Sequence, residues 1–393
     1  MAGAVRGGDE RGPVVDLILT HKRGIHEKAT RQWAAQRLAR VLGTEFRGEY
    51  TPESSQAGAP YFVPDRTLLV AEAERIGIRG PADLFGGVVP YPFVATKSIT
   101  HPLPDDARDL PEGWSHALGE ALMPFVLPGL TVFNLEDARR AGRSLLAAGM
   151  PIRSKPGHGI GGSGQRVIAT AQELDAAIDS LDADAIGKAG LVLERNLATA
   201  ITYSVGVLMV GTIGLAYSGT QRTTRNHSGH EVYGGSTLRC LRGSLDDLLH
   251  ASVDEGERRA VAASIGYDRE VGRAYPRFYA SRRNYDIVHG EDGAGAVRCG
   301  VLEQSWRFGG ASPAEVLALQ AFSEDPGLAR ICVSSCEVYD LIDVPAEGEV
   351  SFRAEDPVVG AITKYAIVES DDAQACVAAS RAVQDSERHG HPA

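Results

Sequence analysis

Two hydrophobic periods alternate along the chain. Val14 to Leu19 is a short apolar run, and Glu27 to Leu42 then places Ala29, Trp33, Ala34, Leu38, Val41 and Leu42 at helical spacing. A strand followed by a helix predicts an α/β layer. Thr67 to Ile76 reads as a second helix, and the Pro- and Gly-rich stretch Gly86 to Pro104 reads as a connector. A second unit follows: strand Leu130–Phe133, a helix N-capped by Asn134 and running to Ala148, strand Pro151–Ser154, strand Arg166–Ala169, helix Gln172–Leu181 and strand Leu191–Leu193. Beyond Thr202 strands dominate: Tyr203–Val210, Thr212–Tyr217, Tyr285–His289, Val297–Glu303 and Ala361–Val368, with Glu291-Asp292-Gly293 as a hairpin turn.

Bulk properties narrow the function classes. A length of 393 residues predicts more than one domain. The net charge of −11 argues against a nucleic-acid binder. No apolar run reaches the roughly 18 residues of a membrane span, and the first residues carry no signal-peptide core, so a cytoplasmic protein is expected. The five cysteines form no framework or zinc pattern and read as reduced thiols.

Two segments carry chemistry. In the first, Lys155 precedes a run containing Gly157, Gly159, Gly161, Gly162, Ser163 and Gly164. Such glycines let backbone N–H groups approach a phosphate, although a plain surface loop has the same composition. Gly157-x-Gly159-x-x-Gly162 also fits a dinucleotide fingerprint, but Pro156 and the strand that follows argue against that reading, and no Walker Gly-Lys-Ser/Thr closes the run. In the second, Glu303, Ser305 and Arg307 share one face of a strand, while Asp286 lies on the preceding one. Two carboxylates can hold magnesium on phosphates, and Arg307 can neutralise a transferring phosphoryl group; a surface salt bridge is the plainer alternative. Gly309 and Gly310 lead to Ser312, which opens a helix through Phe322 whose N-terminus suits a substrate carboxylate or is simply capped. Arg222 and Arg225 sit in a polar loop from Gln221 to His230, suited to clamping carboxylates or simply solvated. Glu27 opens the first helix, where it also favours the helix dipole.

Taken in order, these residues resemble the ATP-grasp superfamily over roughly Pro90 to Leu319. The resemblance implies an ATP-grasp fold of α/β and α+β parts. Its division is a disordered segment 1–12, an N-terminal α/β domain 13–110, a small lobe with the glycine-rich loop 111–190, a C-terminal lobe with the metal and substrate site 191–370, and a flexible tail 371–393. It further implies ATP and Mg2+ as cofactors. Lys97 and Lys155 would meet phosphates, Leu193 and Glu194 the adenine, Asp286, Glu303 and Ser305 the metal, and Lys155 and Arg307 the chemistry. Ser305 stands where the family usually has Asn, and no counterpart of the ribose-binding glutamate follows Glu194. Arg283 adjoins the position of a family arginine, and Glu27 is similarly placed to a glutamate that holds the substrate amine in the D-alanine ligase branch. The implied activity is ATP-dependent ligation of a carboxylate to an amine, with small-molecule substrates, amino acids foremost, in a dipeptide or γ-glutamyl product. Small-molecule phosphorylation, a carboxylase-like reaction and a non-catalytic ATP-binding protein are the alternatives. No nucleic-acid or membrane partner is expected, and a homodimer is compatible with such a chain.

Overall fold

The computed structural model describes residues 12–20, 24–53, 58–159 and 164–370. The segments 1–11 and 371–393, expected to be disordered, lie outside the described residues. Gly12, expected as the last disordered residue, is buried, and its carbonyl accepts a hydrogen bond from Thr44 at 3.1 Å.

The first unit holds β1 (Val14–Leu17), α1 (Ile25–Leu42), β2 (Phe46–Glu49) and β3 (Tyr61–Pro64). β1 lies between β2 and β3 in a parallel sheet and all four of its residues are buried, which is why it is a continuous apolar run rather than an alternating one. The expected helix Thr67–Ile76 is shorter. Leu68–Leu69 forms β4, which pairs with β5 (Gly87–Val89), and α2 covers only Val70–Arg75. The Glu72 carboxylate accepts the Leu69 N–H at 2.9 Å and thereby fixes the helix start. The connector Gly86–Pro104 is likewise structured: after β5 come two 3-10 turns, Pro92–Ala95 and Lys97–Thr100, the second entirely buried.

After α3 (His116–Leu122), a four-stranded antiparallel sheet forms in the order β6-β9-β7-β8, from β6 (Gly129–Val132), β7 (Ile152–Pro156), β8 (Arg166–Ile168) and β9 (Leu191–Arg195). It carries α4 (Leu135–Ala147), α5 (Ala171–Asp179) and α6 (Ala183–Ala189). Asn134 caps α4 as expected, accepting the Asp137 N–H at 2.7 Å. Val132, Ala138, Ile152, Leu174, Leu191 and Leu193 share this lobe's own core. β9 therefore belongs with the small sheet, one strand past the expected boundary at 190/191, whereas Leu118 and Leu122 of α3 pack in a different core.

The remainder is one eight-stranded antiparallel sheet, with β13 (Tyr279–Ala280) outside it pairing β5. In sequence its strands and helices are β10 (Thr199–Val210), β11 (Ile213–Arg225), β12 (Glu231–Arg242), α7 (Leu245–His250), α8 (Glu255–Ala274), β14 (Arg282–Glu291), β15 (Val297–Ser305), α9 (Ser312–Glu324), β16 (Arg330–Val338), β17 (Glu349–Asp356) and β18 (Gly360–Ser370). The spatial order is β15-β14-β10-β11-β12-β16-β18-β17. α1 and α9 cover one face through Trp33, Leu38, Leu238 and Phe322, and α8 covers the other through Tyr267 and Val271. The expected loop from Gln221 is mostly strand, because Gln221 to Arg225 pair with β12. Cys332 is disulfide-bonded, which corrects the expectation that all five cysteines are reduced; among the described residues Cys240, Cys299 and Cys336 are free. Among the described residues no helix is long and apolar enough to cross a membrane.

A buried ion pair ties α9 to this sheet. Arg282 of β14 donates to Glu315 in the first turn of α9 through two parallel contacts, 2.8 and 2.6 Å, and the Tyr217 hydroxyl donates to the same carboxylate at 2.5 Å. Removing one partner leaves the other charge buried and uncompensated. Glu315→Ala is expected to cost about 3–5 kcal/mol in denaturant unfolding, and Arg282→Met with Glu315→Leu to recover most of the loss.

Candidate active site

The small sheet and the large sheet face each other across a cavity of about 750 Å³, within the size range of ligand sites. From the small sheet, alternation along β7 and β9 turns Lys155 and Glu194 toward it, while Leu193 points into the lobe's own core. Leu193, expected at the adenine, is therefore a packing residue. The Lys155 ammonium lies 2.5 Å from Glu194, whose other oxygen is 3.0 Å from His101 Nε2, with all three groups almost fully buried. Burial lowers the Lys155 pKa, with Glu194 opposing and Lys97 adding a like charge. Burial acts to raise that of Glu194, but Lys155 and His101 together outweigh it and hold the carboxylate below its ordinary range. The Glu194 side chain thus holds Lys155 in place.

The second lysine arrives from the buried 3-10 turn. Lys97 donates to the Gly159 carbonyl at 2.8 Å and lies 2.5 Å from Glu303 Oε2. Its position is set from behind by Gln304, on the opposite face of β15. The Gln304 amide donates to the carbonyls of Val94 and Thr96 at 3.1 and 2.6 Å and accepts from the Tyr267 hydroxyl at 3.1 Å.

Asp286 and Glu303 stand directly opposite each other on β14 and β15, beside a bulge that follows Asp286. The bulge brings Leu302 to the cavity wall as well, and its carbonyl accepts from Lys155 at 3.4 Å. Gln221 donates to Asp286 Oδ1 at 2.6 Å, and Lys97 sits on Glu303 Oε2. Among the described residues Asp286 Oδ2 and Glu303 Oε1 have no hydrogen-bond partner. One oxygen of each is therefore placed to meet a hard cation. No group of three or more His, Cys, Asp or Glu forms a metal cluster among the described residues, so such an ion needs further oxygens from phosphate or water. Ser305 lines the cavity, its hydroxyl 3.4 Å from Arg282 Nη1.

Other expected residues divide. Glu27, Arg222, Arg307, Gly309 and Gly310 line the same cavity. A Cβ at Gly310 would sit 2.4 Å from the Tyr233 ring, so glycine is required for the close approach there. Arg222 is engaged across the sheet with the carbonyls of Gly234 and Ser335. Arg283 points away from the site: alternation along β14 sends it to Asp268 of α8 at 2.7 Å, and the cavity instead receives Arg282 and Asn284. Arg225, at the far end of β11, bonds its own turn at Gly229 and does not line the cavity. Ser312 is buried behind the wall and accepts the Gly309 N–H at 3.0 Å. Gly164 is an exposed turn residue with φ +74°. Gly161, Gly162 and Ser163 lie outside the described residues. His101, Gln221, Arg282, Gln304 and Glu315 were not anticipated as site residues. Period-two alternation from Asp286 back to Arg282 carried a signal for one of them; His101 carried none.

A family model described as "Protein of unknown function (DUF3182)" matches residues 14–366, and the chain belongs to that family. No curated protein matches it by sequence. Among solved structures it is similar to the biotin carboxylase domain of the Hydrogenobacter thermophilus 2-oxoglutarate carboxylase, in complex with MgADP, ADP and bicarbonate, at 14% identity over 96% of this chain and 90% of that one, TM-score 0.51. It is also similar to phosphoribosylamine–glycine ligase from Thermotoga maritima, at 13% identity over 95% of this chain and 96% of that one, TM-score 0.52. The fold is the ATP-grasp fold.

Burial, and then the charge of Glu303, push the Asp286 carboxyl up to about 7, against Lys97, Arg282 and Gln221. A carboxyl raised in the folded state stabilises it at low pH, and that contribution is lost as pH rises from about 4 through about 7. In magnesium-free urea unfolding, the midpoint of Asp286→Asn should gain on the wild type as pH rises from about 5 to about 8. Parallel midpoints would show that Asp286 does not titrate there.

Proposed function

We propose that this member of the family is an ATP- and magnesium-dependent ligase that joins a carboxylate to an amine through an acyl phosphate. The observation that carries the reading is the opposed pair Asp286 and Glu303, each with one oxygen turned to the cavity, met by Lys97 and Lys155 from two other elements. Cations for phosphates and hard oxygens for magnesium are thereby supplied within one cleft. Asp286 Oδ2 and Glu303 Oε1 would hold the ion, with the Ser305 hydroxyl alongside. Bound magnesium would neutralise phosphate charge.

The chain's own part is placement and charge. Lys155, held by Glu194, and Lys97, held through Gln304, meet the phosphates, and release of Lys97 from Glu303 accompanies metal entry. A donor carboxylate oxygen attacks the γ-phosphorus, the bond to the β-phosphate oxygen breaks, and ADP leaves. The amine then attacks the acyl carbon and loses a proton as phosphate departs. Arg307 lies on the cavity wall where it can face the transferring phosphoryl group. The adenine is assigned to the β9 end of the cavity, between Leu127 and Leu197. Support for the chemistry comes from the names of the two fold relatives, one an amine–glycine ligase and the other a carboxylase domain seen with MgADP. Amino acids are the proposed substrates, because Arg307 and the glycines before α9 suit free carboxylates.

The test is ADP release by the purified full-length protein with Mg-ATP and pooled amino acids. Release that needs two amino acids supports ligation. Release needing one acceptor points to phosphorylation, and bound nucleotide without release to a non-catalytic binder. Glu303→Gln is expected to lower turnover by roughly 100-fold or more; unchanged turnover would remove Glu303 from the metal site.

A further inference from the structure

The cavity continues past the groups assigned above to a second cluster of charge. Its opposite end is walled by His26 and Thr30 of α1, Glu337 of β16, Tyr339 just beyond it, and Lys364 of β18. Glu337 and Lys364 are direct cross-strand partners, with carboxylate and ammonium 2.8 Å apart. Cross-strand ion pairs are ordinary on a solvated face. Here Lys364 is only 8% exposed. A buried pair of this kind is seldom better than an apolar one for stability alone.

The hydrogen bonds around the pair are incomplete. Lys364 Nζ lies 3.5 Å from His26 Nδ1. Burial, and then the nearby Lys364 charge, keep His26 below its ordinary pKa, while Glu27, Asp356 and Glu337 act in the opposite direction. The neutral ring accepts at Nδ1. An ammonium has three N–H groups; Glu337 and His26 account for two, and the third has no partner among the described residues. Glu337 Oε2 has none either. A donor beside a cation and an acceptor on a carboxylate are thus left side by side at the cavity wall. Tyr233 also lines the cavity, its hydroxyl hydrogen-bonded with those of Ser236 and Ser335 at 2.7 and 3.2 Å.

We propose that the Glu337–Lys364 pair is the acceptor subsite and takes a zwitterionic amine, an α-amino acid, with its carboxylate on Lys364 and its ammonium on Glu337. The identification as acceptor rests on the ligase reading; the binding of a zwitterion does not. Each ligand charge would meet its opposite through a charge-assisted hydrogen bond, and His26 would orient the lysine.

The experiment is thermal unfolding of the full chain, without nucleotide, against the standard α-amino acids, their amides and their N-acetyl derivatives. The expected result is a rise in unfolding temperature with at least one amino acid and none with its amide or N-acetyl form. In Lys364→Met and in Glu337→Gln its affinity should fall by at least about tenfold, with the shift produced by MgADP unchanged. Absence of any amino-acid shift overturns the proposal, as does an equal shift from the amide or a shift that survives in both variants. The comparison of derivatives uses the wild-type chain and stands even where a variant fails to fold. An amino-acid shift that depends on Lys364, without ADP release in any pool, keeps the subsite and removes the ligase reading. ADP release with an amine whose KM is unmoved by either variant keeps the ligase reading and removes the subsite.

Discussion

Lys155 and Glu194 face each other 2.5 Å apart with almost no access to water, and the cleft is organised around that contact. A lone ammonium or carboxylate at such a place would be driven to its neutral form. Each therefore has to be delivered together with its counter-charge, which obliges β7 and β9 to be neighbours in one small sheet. The same requirement repeats outward: His101 on Glu194, Lys97 on Glu303, Glu315 on Arg282. The charged groups lining the cleft are thus held against one another. On the proposed function, ligand entry would exchange partners instead of exposing bare charge.

The parts of this arrangement visible in the sequence were those with a local period or a compact motif. The run Val14–Leu17, the Asn134 cap and the pair Glu303 and Ser305 on β15 depend only on near neighbours along the chain and appear where the pattern put them, whereas Arg307 lies past the end of β15 yet lines the same cavity. Leu68–Leu69 failed because a helical pattern was overridden by pairing with Val88–Val89, twenty residues on. Gln221 to Arg225 read as a loop because polar residues dominate it, yet the ladder to β12 fixes it as strand. Arg283 was favoured over Arg282 although only the latter shares a face with Asp286.

Partners set by tertiary packing left no such trace. Nothing near His101 announces a contact with Glu194, 93 residues later, and the bulge beside Asp286 is a property of two strands together. Gln304 lies on the face of β15 opposite Glu303 and Ser305. Its amide reaches back to Val94 and Thr96, so a residue on the wrong face for catalysis sets the position of a lysine on the right one.

The His26 N–H donates to Asp356 across 330 residues of chain, and α1 packs on α9 while Trp33 and Ala366 share one core. The first helix is thus completed by strands made some 330 residues after it. During synthesis α1 emerges hundreds of residues ahead of the surface that covers it, and contacts of such span close slowly. The small lobe, with a core drawn only from Leu130 to Leu193, has no such wait. The biosynthetic order therefore favours a middle that folds first and an outer shell that closes only once β17 and β18 have emerged.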